Sequence, residues 1–322
     1  MTNTGFKTWM RILSIAFLLL SAKLMFAYPI SPITLRTLIE RSQYIVIARI
    51  DNPDKGEKYF DPKINDTLTS FTFGGDGLAD LYITEVLKGK PGSEHIRVTY
   101  EAGMICPAPP YYPDKQTVIV FLMKDDTATT FYTYGLSYGT KVMPNEAETE
   151  LYRKRILEYL AILKRTHGAK RAEATLEWLV TCAEYPATRW EGAYELSRSG
   201  HFMAYYDRSK DKKLYNKLNT KQISRLDSVF FASDTLGYNE LCLVDIIPQK
   251  HHARLKTHLL NNLRFVDYYL KQDIMKQILI DIPDDELKRL CKQISDIIYD
   301  EEKLSEQKRL IEKFIELAES KH

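Results

Sequence analysis

Cysteine is too scarce in this chain to hold it together. Four residues, Cys106, Cys182, Cys242 and Cys291, serve 322 positions, whereas disulfide frameworks belong to short, cysteine-dense secreted domains. No two are spaced as Cys-x-x-Cys, which excludes a thioredoxin-type site and a paired-cysteine zinc site. Cys182, Cys242 and Cys291 each fall inside an apolar helical pattern, so burial as free thiols is expected for most of the four. Histidine is equally thin, at 7 residues, and His-Glu-x-x-His is absent. His251, His252 and His258 form the one cluster. On a single helix His251 and His258 stand two turns apart, about 10 Å, too far to share a metal, and His252 points to another face. They are expected as surface or partly buried histidines. Gly74-Gly75-Asp76-Gly77 lacks the Lys-Ser/Thr that completes a phosphate loop and suits a hairpin tip. No cofactor and no metal site is therefore expected.

A charge excess is missing too. The chain has 45 basic and 43 acidic residues. The first 27 residues contain Lys7, Arg11 and Lys23 and no acid, which leaves 42 basic against 43 acidic residues, or −1, beyond Ala27. A near-neutral chain lacks the electrostatic footprint of a nucleic-acid binder. Long apolar runs are confined to the beginning. Lys7 and Arg11 precede Ile12–Ala22 (ILSIAFLLLSA), and Leu24–Ala27 ends in a small residue. That is the layout of a secretory signal peptide cleaved near Ala27. Lys23 interrupts it, and an uncleaved N-terminal anchor stays open as the alternative. The run falls short of the roughly 20 residues that a bilayer span takes. An exported, periplasmic or extracellular protein is expected, with no membrane span once residues 1–27 are removed. Its expected partner is another envelope or extracellular protein. The length that remains suits two domains.

What is present divides by period. From residue 28 to about 143 the pattern is that of strands. Gln43–Ile50 (QYIVIARI) and Leu78–Lys88 (LADLYITEVLK) are rich in β-branched and aromatic residues. Ile96, Val98 and Tyr100 alternate with His95, Arg97 and Thr99, the period-2 mark of a half-buried strand. Thr117–Met123 (TVIVFLM) is continuously apolar, as a central strand is, and Thr130–Leu136 is a further strand. Turn-forming stretches separate them, and Ile33–Arg41 precedes them as a short helix. From Asn145 the period is 3.6. Leu151, Ile156, Leu157, Leu160 and Leu163 share one helical face. Helices follow over Ala172–Cys182, Pro186–Ser197, Thr220–Phe231, Tyr238–Ile247, Lys250–Leu263, Val266–Ile280, Asp284–Tyr299 and Ser305–Glu319, with Thr220 and Asp284 as N-caps. Asp207–Lys217 is a polar, Lys-rich loop.

The segments Ser42–Ile50, Tyr82–Gly89 (YITEVLKG), Ile96–Tyr100 (IRVTY) and Thr117–Leu122 resemble, in that order, the OB-fold-type domain of the netrin and tissue-inhibitor-of-metalloproteinase kind found in exported bacterial proteins. The resemblance covers roughly residues 34–143, and Val86-Leu-Lys-Gly89 is its most specific piece. It implies a small antiparallel OB-like β-barrel. Protease inhibitors of that fold place a Cys at the mature N-terminus to chelate the target's metal. This chain would begin near Tyr28-Pro29, so the inhibitory chemistry does not carry over. The consecutive helices are similar to HEAT-like arrays, though no exact repeat period is found. The expected fold class is α+β multidomain: residues 1–27 a signal peptide, 28–144 the OB-like barrel, 145–322 an all-α, helical-repeat, α-solenoid-like domain.

Two places invite a functional reading. Gly135-Leu-Ser137-Tyr-Gly139 matches the G-x-S-x-G nucleophile elbow, which needs a parallel strand before it and a helix after it. Here Thr140–Pro144 follows, so a turn after a strand is the more economical reading and a serine hydrolase the alternative. Arg189, Trp190 and Glu191 combine types that anchor interfaces, although Trp178 and Trp190 in helical hairpins are more often core. If the helical half has a partner face, it is expected at Arg189, Trp190 and Glu191. The expected function is that of an exported, non-enzymatic binding or scaffolding protein, with a protease inhibitor by fold analogy as the weakest alternative.

Overall fold

The computed structural model describes residues 32–53, 76–101, 108–124, 130–197 and 214–321. The expected signal peptide, the tip of the first hairpin, Cys106 and most of the Lys-rich loop lie outside the described residues.

The chain opens with α1 (Leu35–Arg41), N-capped by Thr34, which buries Leu35, Leu38 and Ile39 at helical spacing. Six strands follow: β1 (Tyr44–Pro53), β2 (Asp76–Lys88), β3 (His95–Glu101), β4 (Thr117–Met123), β5 (Phe131–Thr133) and β6 (Thr140–Met143). Five close a ring in the order β1-β2-β3-β5-β4-β1, and β6 lies against β4. β2 pairs with both β1 and β3, and its ladder with β1 is broken by register shifts that let a long strand bend around a small barrel. The barrel is mixed rather than purely antiparallel. β3 and β5 run parallel and share only the pairs Val98–Phe131 and Thr99–Tyr132. The ring is an OB-like small barrel. β6 was not foreseen, because four residues, one of them Lys141, give too short an alternation to register.

The alternation of side chains along β1 and β4 decides how the halves meet. Val46, Ala48, Ile50, Val118, Val120 and Leu122 fill the barrel. Their neighbours Ile45, Ile47, Ile119 and Phe121 point outwards into a second cluster, shared with α1 and the helical half. Both faces are covered, which is why the two segments are apolar without interruption. At about 1.5–3 kcal/mol per buried side chain, these four outward residues contribute about 6–12 kcal/mol towards holding the halves together.

The change to helices falls at Asn145, whose side chain caps α2 (Glu146–Arg165). The buried centre of α2 is Tyr152, Ile156 and Tyr159, with Leu160 and Leu163 at its margin. The leucine face anticipated from sequence is thus rotated toward the tyrosines, whose longer side chains reach the core. There follow α3 (Gly168–Glu184), α4 (Arg189–Leu196), α5 (Thr220–Ala232), α6 (Tyr238–Leu241), α7 (His252–Leu263), α8 (Tyr268–Asp281), α9 (Asp285–Ile297) and α10 (Leu304–Ser320). Asn219, not Thr220, caps α5, in a capping box with Gln222. Asp284 caps α9. The expected helix Tyr238–Ile247 is instead α6 and a separate 3-10 turn, Val244–Ile246. Leu241, Cys242, Leu243 and Val244 are all buried. Among α7–α10, Lys256 of α7 donates to the Ala318 carbonyl of α10, and Arg264 forks onto Glu312. Cys182 and Cys291 are free and buried, and Cys242 is buried. Among the described residues no helix is long and apolar enough to cross a membrane.

Candidate functional site

The two sequence candidates are neighbours in space. Ser137 sits in a 3-10 turn, Leu136–Gly139, between β5 and β6, and Tyr138 of that turn stacks on Trp190 (6.0 Å between centroids, 11° between planes). Trp190 in turn stacks on Tyr194, one helical turn further along α4 (5.2 Å, 18°), and the Lys141 ammonium lies 5.7 Å from the Trp190 ring centroid. A ladder of three rings and a cation thus joins the barrel to α4. The turn is tight: Gly135 has φ 87°, and a Cβ on Gly139 would stand 1.9 Å from the Tyr134 carbonyl oxygen. Its geometry is not that of a nucleophile elbow. A strand follows it, and the Tyr138 N–H, which in an elbow would face the oxyanion, donates to the Gly135 carbonyl at 3.1 Å.

Arg189 and Glu191 are buried and paired inside the chain. Glu191, 1% exposed, accepts from the Leu35 N–H at the start of α1 (2.8 Å), from Lys141 Nζ on β6 (2.6 Å) and from the Tyr152 hydroxyl on α2 (3.5 Å). One carboxylate therefore ties three elements. Burial, then the charge of Glu191, holds the Tyr152 phenol well above its ordinary pKa. Arg189 pairs with the buried Glu240 of α6 and donates to the Ala183 carbonyl and to Ser233 Oγ. One turn beyond Glu191, Glu195 accepts from Thr34 Oγ1 (2.6 Å) and Arg36 Nε (2.7 Å). Burial pushes its carboxyl above the usual range, against the pull of Arg36 and Thr34. Tyr159 donates to Glu40 at 2.5 Å, and burial, with that bond and charge, pushes its phenol up to about 12. Trp190 alone of the triplet is half-buried. The arrangement is a junction of charges that hold one another.

The histidines pair separately. His251 Nδ1 lies 2.8 Å from Asp227, and His252 Nδ1 lies 3.2 Å from Asp281. His258 packs against Phe230 and Phe231, and its Nε2 is buried without a hydrogen-bond partner. Burial, then the charge of Arg254, lowers its pKa. Among the described residues no three His, Cys, Asp or Glu groups converge as metal ligands.

The barrel wall away from the helices has a different character. Along β2 and β3 the inward residues Leu81, Ile83, Ile96 and Val98 are buried, while Tyr82, Thr84, His95 and Arg97 face solvent. Tyr82 and His95, paired across the strands, bring their rings to 4.8 Å. Arg97 Nε donates to Asp80 Oδ1 at 2.9 Å. A cavity of about 800 Å³ opens here, lined by outward Asp80, His95 and Arg97 and by inward Leu81, Ile96 and Phe131. It lies beside the seam where β3 and β5 share two pairs. Sequence reasoning did not select these residues as a site. The signal was available, since they are the outward positions of the one strand with strict alternation and of its neighbour. No family model, no curated protein and no solved structure matches the chain.

Proposed function

We propose that the chain is an exported, non-enzymatic binding protein whose ligand face is the uncovered barrel wall over β2, β3 and the start of β5, with the helical half as its support. The observation that carries this reading is the cavity of about 800 Å³ at the β3–β5 seam, lined by the outward residues Asp80, His95 and Arg97 of β2 and β3. Pockets with an apolar floor and a few convergent polar groups, in the mouths of barrels, are the usual form of a binding site. In five-stranded OB-type barrels the face of strands 2 and 3 is the customary ligand surface. The likeness of the barrel to netrin and tissue-inhibitor domains, and of the helices to HEAT-like arrays, supports recognition rather than catalysis. Export rests on the signal-like residues 1–27, and the ligand is accordingly a component of the envelope or the extracellular space.

A photo-crosslinking residue placed at Tyr82, on the wall, and separately at Phe265, exposed at the α7–α8 turn, tests the reading in the native envelope. Adducts formed from position 82 and not from 265 are expected. Adducts from 265 alone would move the binding face to the helical half and overturn it.

A further inference from the structure

We infer that the turn between α2 and α3 is a docking face for a bilayer surface that carries anionic phospholipid. The face is separate from the barrel wall: Arg153 of α2 pairs with Glu85 of β2, and Arg165 lies about 18 Å further along the helix. The first argument is a concentration of positive charge. Lys164 and Arg165 end α2, and Lys170 and Arg171 fall at the start of α3. From Tyr159 to Thr175 the one acid is Glu173. Lys217, on the 3-10 turn Leu214–Lys217, lines the same cavity as Gly168 and Arg171. Glu40 and Glu195 line it too and share Arg36. Six basic groups thus meet three acidic ones, a surplus of +3, in a chain whose total beyond Ala27 is −1. Surplus of one sign on one face selects partners of the other sign.

The second argument is that fold stability accounts for only part of this charge. Basic residues at the end of a helix offset its dipole, which covers Lys164 and Arg165. Arg171 donates to the Leu163 and Thr166 carbonyls and so closes the end of α2. Lys170 has no such role. It stands in the first turn of α3, against the positive end of the dipole, and that turn contains no acid. Lys164, Arg165, Lys170 and Lys217 are exposed and form no ion pair among the described residues. Around α9 and α10, by contrast, Lys288, Arg289, Lys303 and Lys321 each face an acid within 3.3 Å. The turn is exposed from Lys164 to Lys170 except at Thr166. Its charges stand outwards and suit a plane of headgroups better than one enclosed anion.

The third argument is where the N-terminal segment joins the fold. Pro32 lines the same cavity as Gly168, Arg171, Ala172 and Lys217. Residues 1–31, with the signal-like run Ile12–Ala22, are therefore connected at the rim of the basic turn. Ten residues lead from Ala22 to Pro32, a reach of at most about 35 Å. A bilayer that takes up the apolar run during export lies within that distance of Lys164 and Lys170. Basic residues beside a membrane-seeking segment are the usual means of attraction to anionic headgroups. A nucleic acid or an acidic protein would find the same charge but has no relation to this point of attachment.

The test uses the chain without residues 1–27, which keeps every described residue. Vesicles of phosphatidylcholine, alone or with about 30% phosphatidylglycerol, are the probe, and co-sedimentation is the readout. Binding is expected to the anionic vesicles only. It should be lost as salt rises from about 0.1 M to about 1 M, where the Debye length falls from about 10 Å to about 3 Å. Lys164→Gln combined with Lys170→Gln should weaken it about thirtyfold, about fivefold for each charge, at unchanged Tm. Lys288→Gln combined with Lys292→Gln removes the same charge from α9 and should leave binding within about twofold. Equal weakening by the two pairs would make overall charge the cause and overturn the face. Binding that persists with phosphatidylcholine alone or at high salt would overturn it too. Competition by millimolar inorganic phosphate would mark a pocket for a single anion. Capture of duplex DNA or an acidic peptide without vesicle binding would assign the charge to another partner. Either result overturns the proposal, and none of these outcomes bears on crosslinking from Tyr82, so the reading of the barrel wall is judged separately.

Discussion

The carboxylate of Glu191 offers the sharpest test of how the two halves are joined. Its partners come from α1, α2 and β6, and Lys141, which it neutralises, has a side chain only 14% exposed. Glu191→Ala leaves an ammonium buried without its counter-charge and the first N–H of α1 without an acceptor. Breaking a buried pair from one side costs about 3–5 kcal/mol, because the stranded charge keeps its desolvation penalty. At roughly 2–4 °C per kcal/mol for a chain of this order, Tm should fall by about 6–20 °C. Urea titration of the chain without residues 1–27, followed by far-UV circular dichroism and by tryptophan emission, measures it. The two signals should coincide in wild type, since the core runs from barrel to helices. The second arm is the double variant Glu191→Leu, Lys141→Met. Removing both charges together abolishes the stranded ion, so most of the loss should be recovered. A single variant that loses less than about 1 kcal/mol would place Glu191 with ordinary surface pairs and refute the argument. So would a double variant no better than the single one.

Three further outcomes are expected. His258 is held neutral by burial and Arg254, with its pKa below the ordinary value. The unfolded chain binds that proton near pH 6.5 and the folded chain only below it, so stability should fall as pH drops through about 6.5. His258→Phe should flatten that part of the profile in urea midpoints taken on either side, and an unchanged slope would remove His258 as its cause. Gly192→Ala places a Cβ 2.1 Å from the Leu179 carbonyl oxygen and 2.7 Å from the Ala183 nitrogen. It should force α3 and α4 apart at a cost of about 1–3 kcal/mol, read as a lowered Tm; a neutral effect would mean that the helices give way freely. A serine-directed fluorophosphonate should leave the protein unlabelled, and labelling that disappears in Ser137→Ala would overturn the non-enzymatic reading.

Much of the fold was legible because its signals are local. Asp284 caps its helix from within a turn, and the periods of β3 and α5 lie within a few residues. The exceptions have physical reasons. The parallel β3–β5 pair depends on where distant segments come to rest, and nothing in Phe131–Thr133 records its direction. The run Leu241–Val244 is buried on all sides, so no periodicity separates α6 from the turn after it. Arg189 and Glu191 were expected at a partner face because they flank Trp190, and Trp and Arg are typical interface anchors. Their neutralising partners, Glu240 and Lys141, are 51 and 50 residues away, and a helical window contains neither.

The location of the candidate site follows from a contrast that was present in the sequence but carries meaning only once the ring is closed. Two segments, Tyr44–Ile50 and Thr117–Met123, are apolar at nearly every position, whereas Leu78–Thr84 and His95–Tyr100 alternate. In a barrel every strand has one face inside, so the second apolar face of β1 and β4 must lie against something else, here α1 and the helical half. The polar second face of β2 and β3 must then be the part of the wall left to solvent. Exposure alone does not make a ligand surface, since charged side chains such as Arg49 are also exposed and need no explanation. What distinguishes the β3 side is that outward Asp80, His95 and Arg97 border a cavity also lined by Leu81, Ile96 and Phe131. Closing a ring with a β5 of only three residues leaves the β3–β5 seam two pairs long, and the cavity lies beside it.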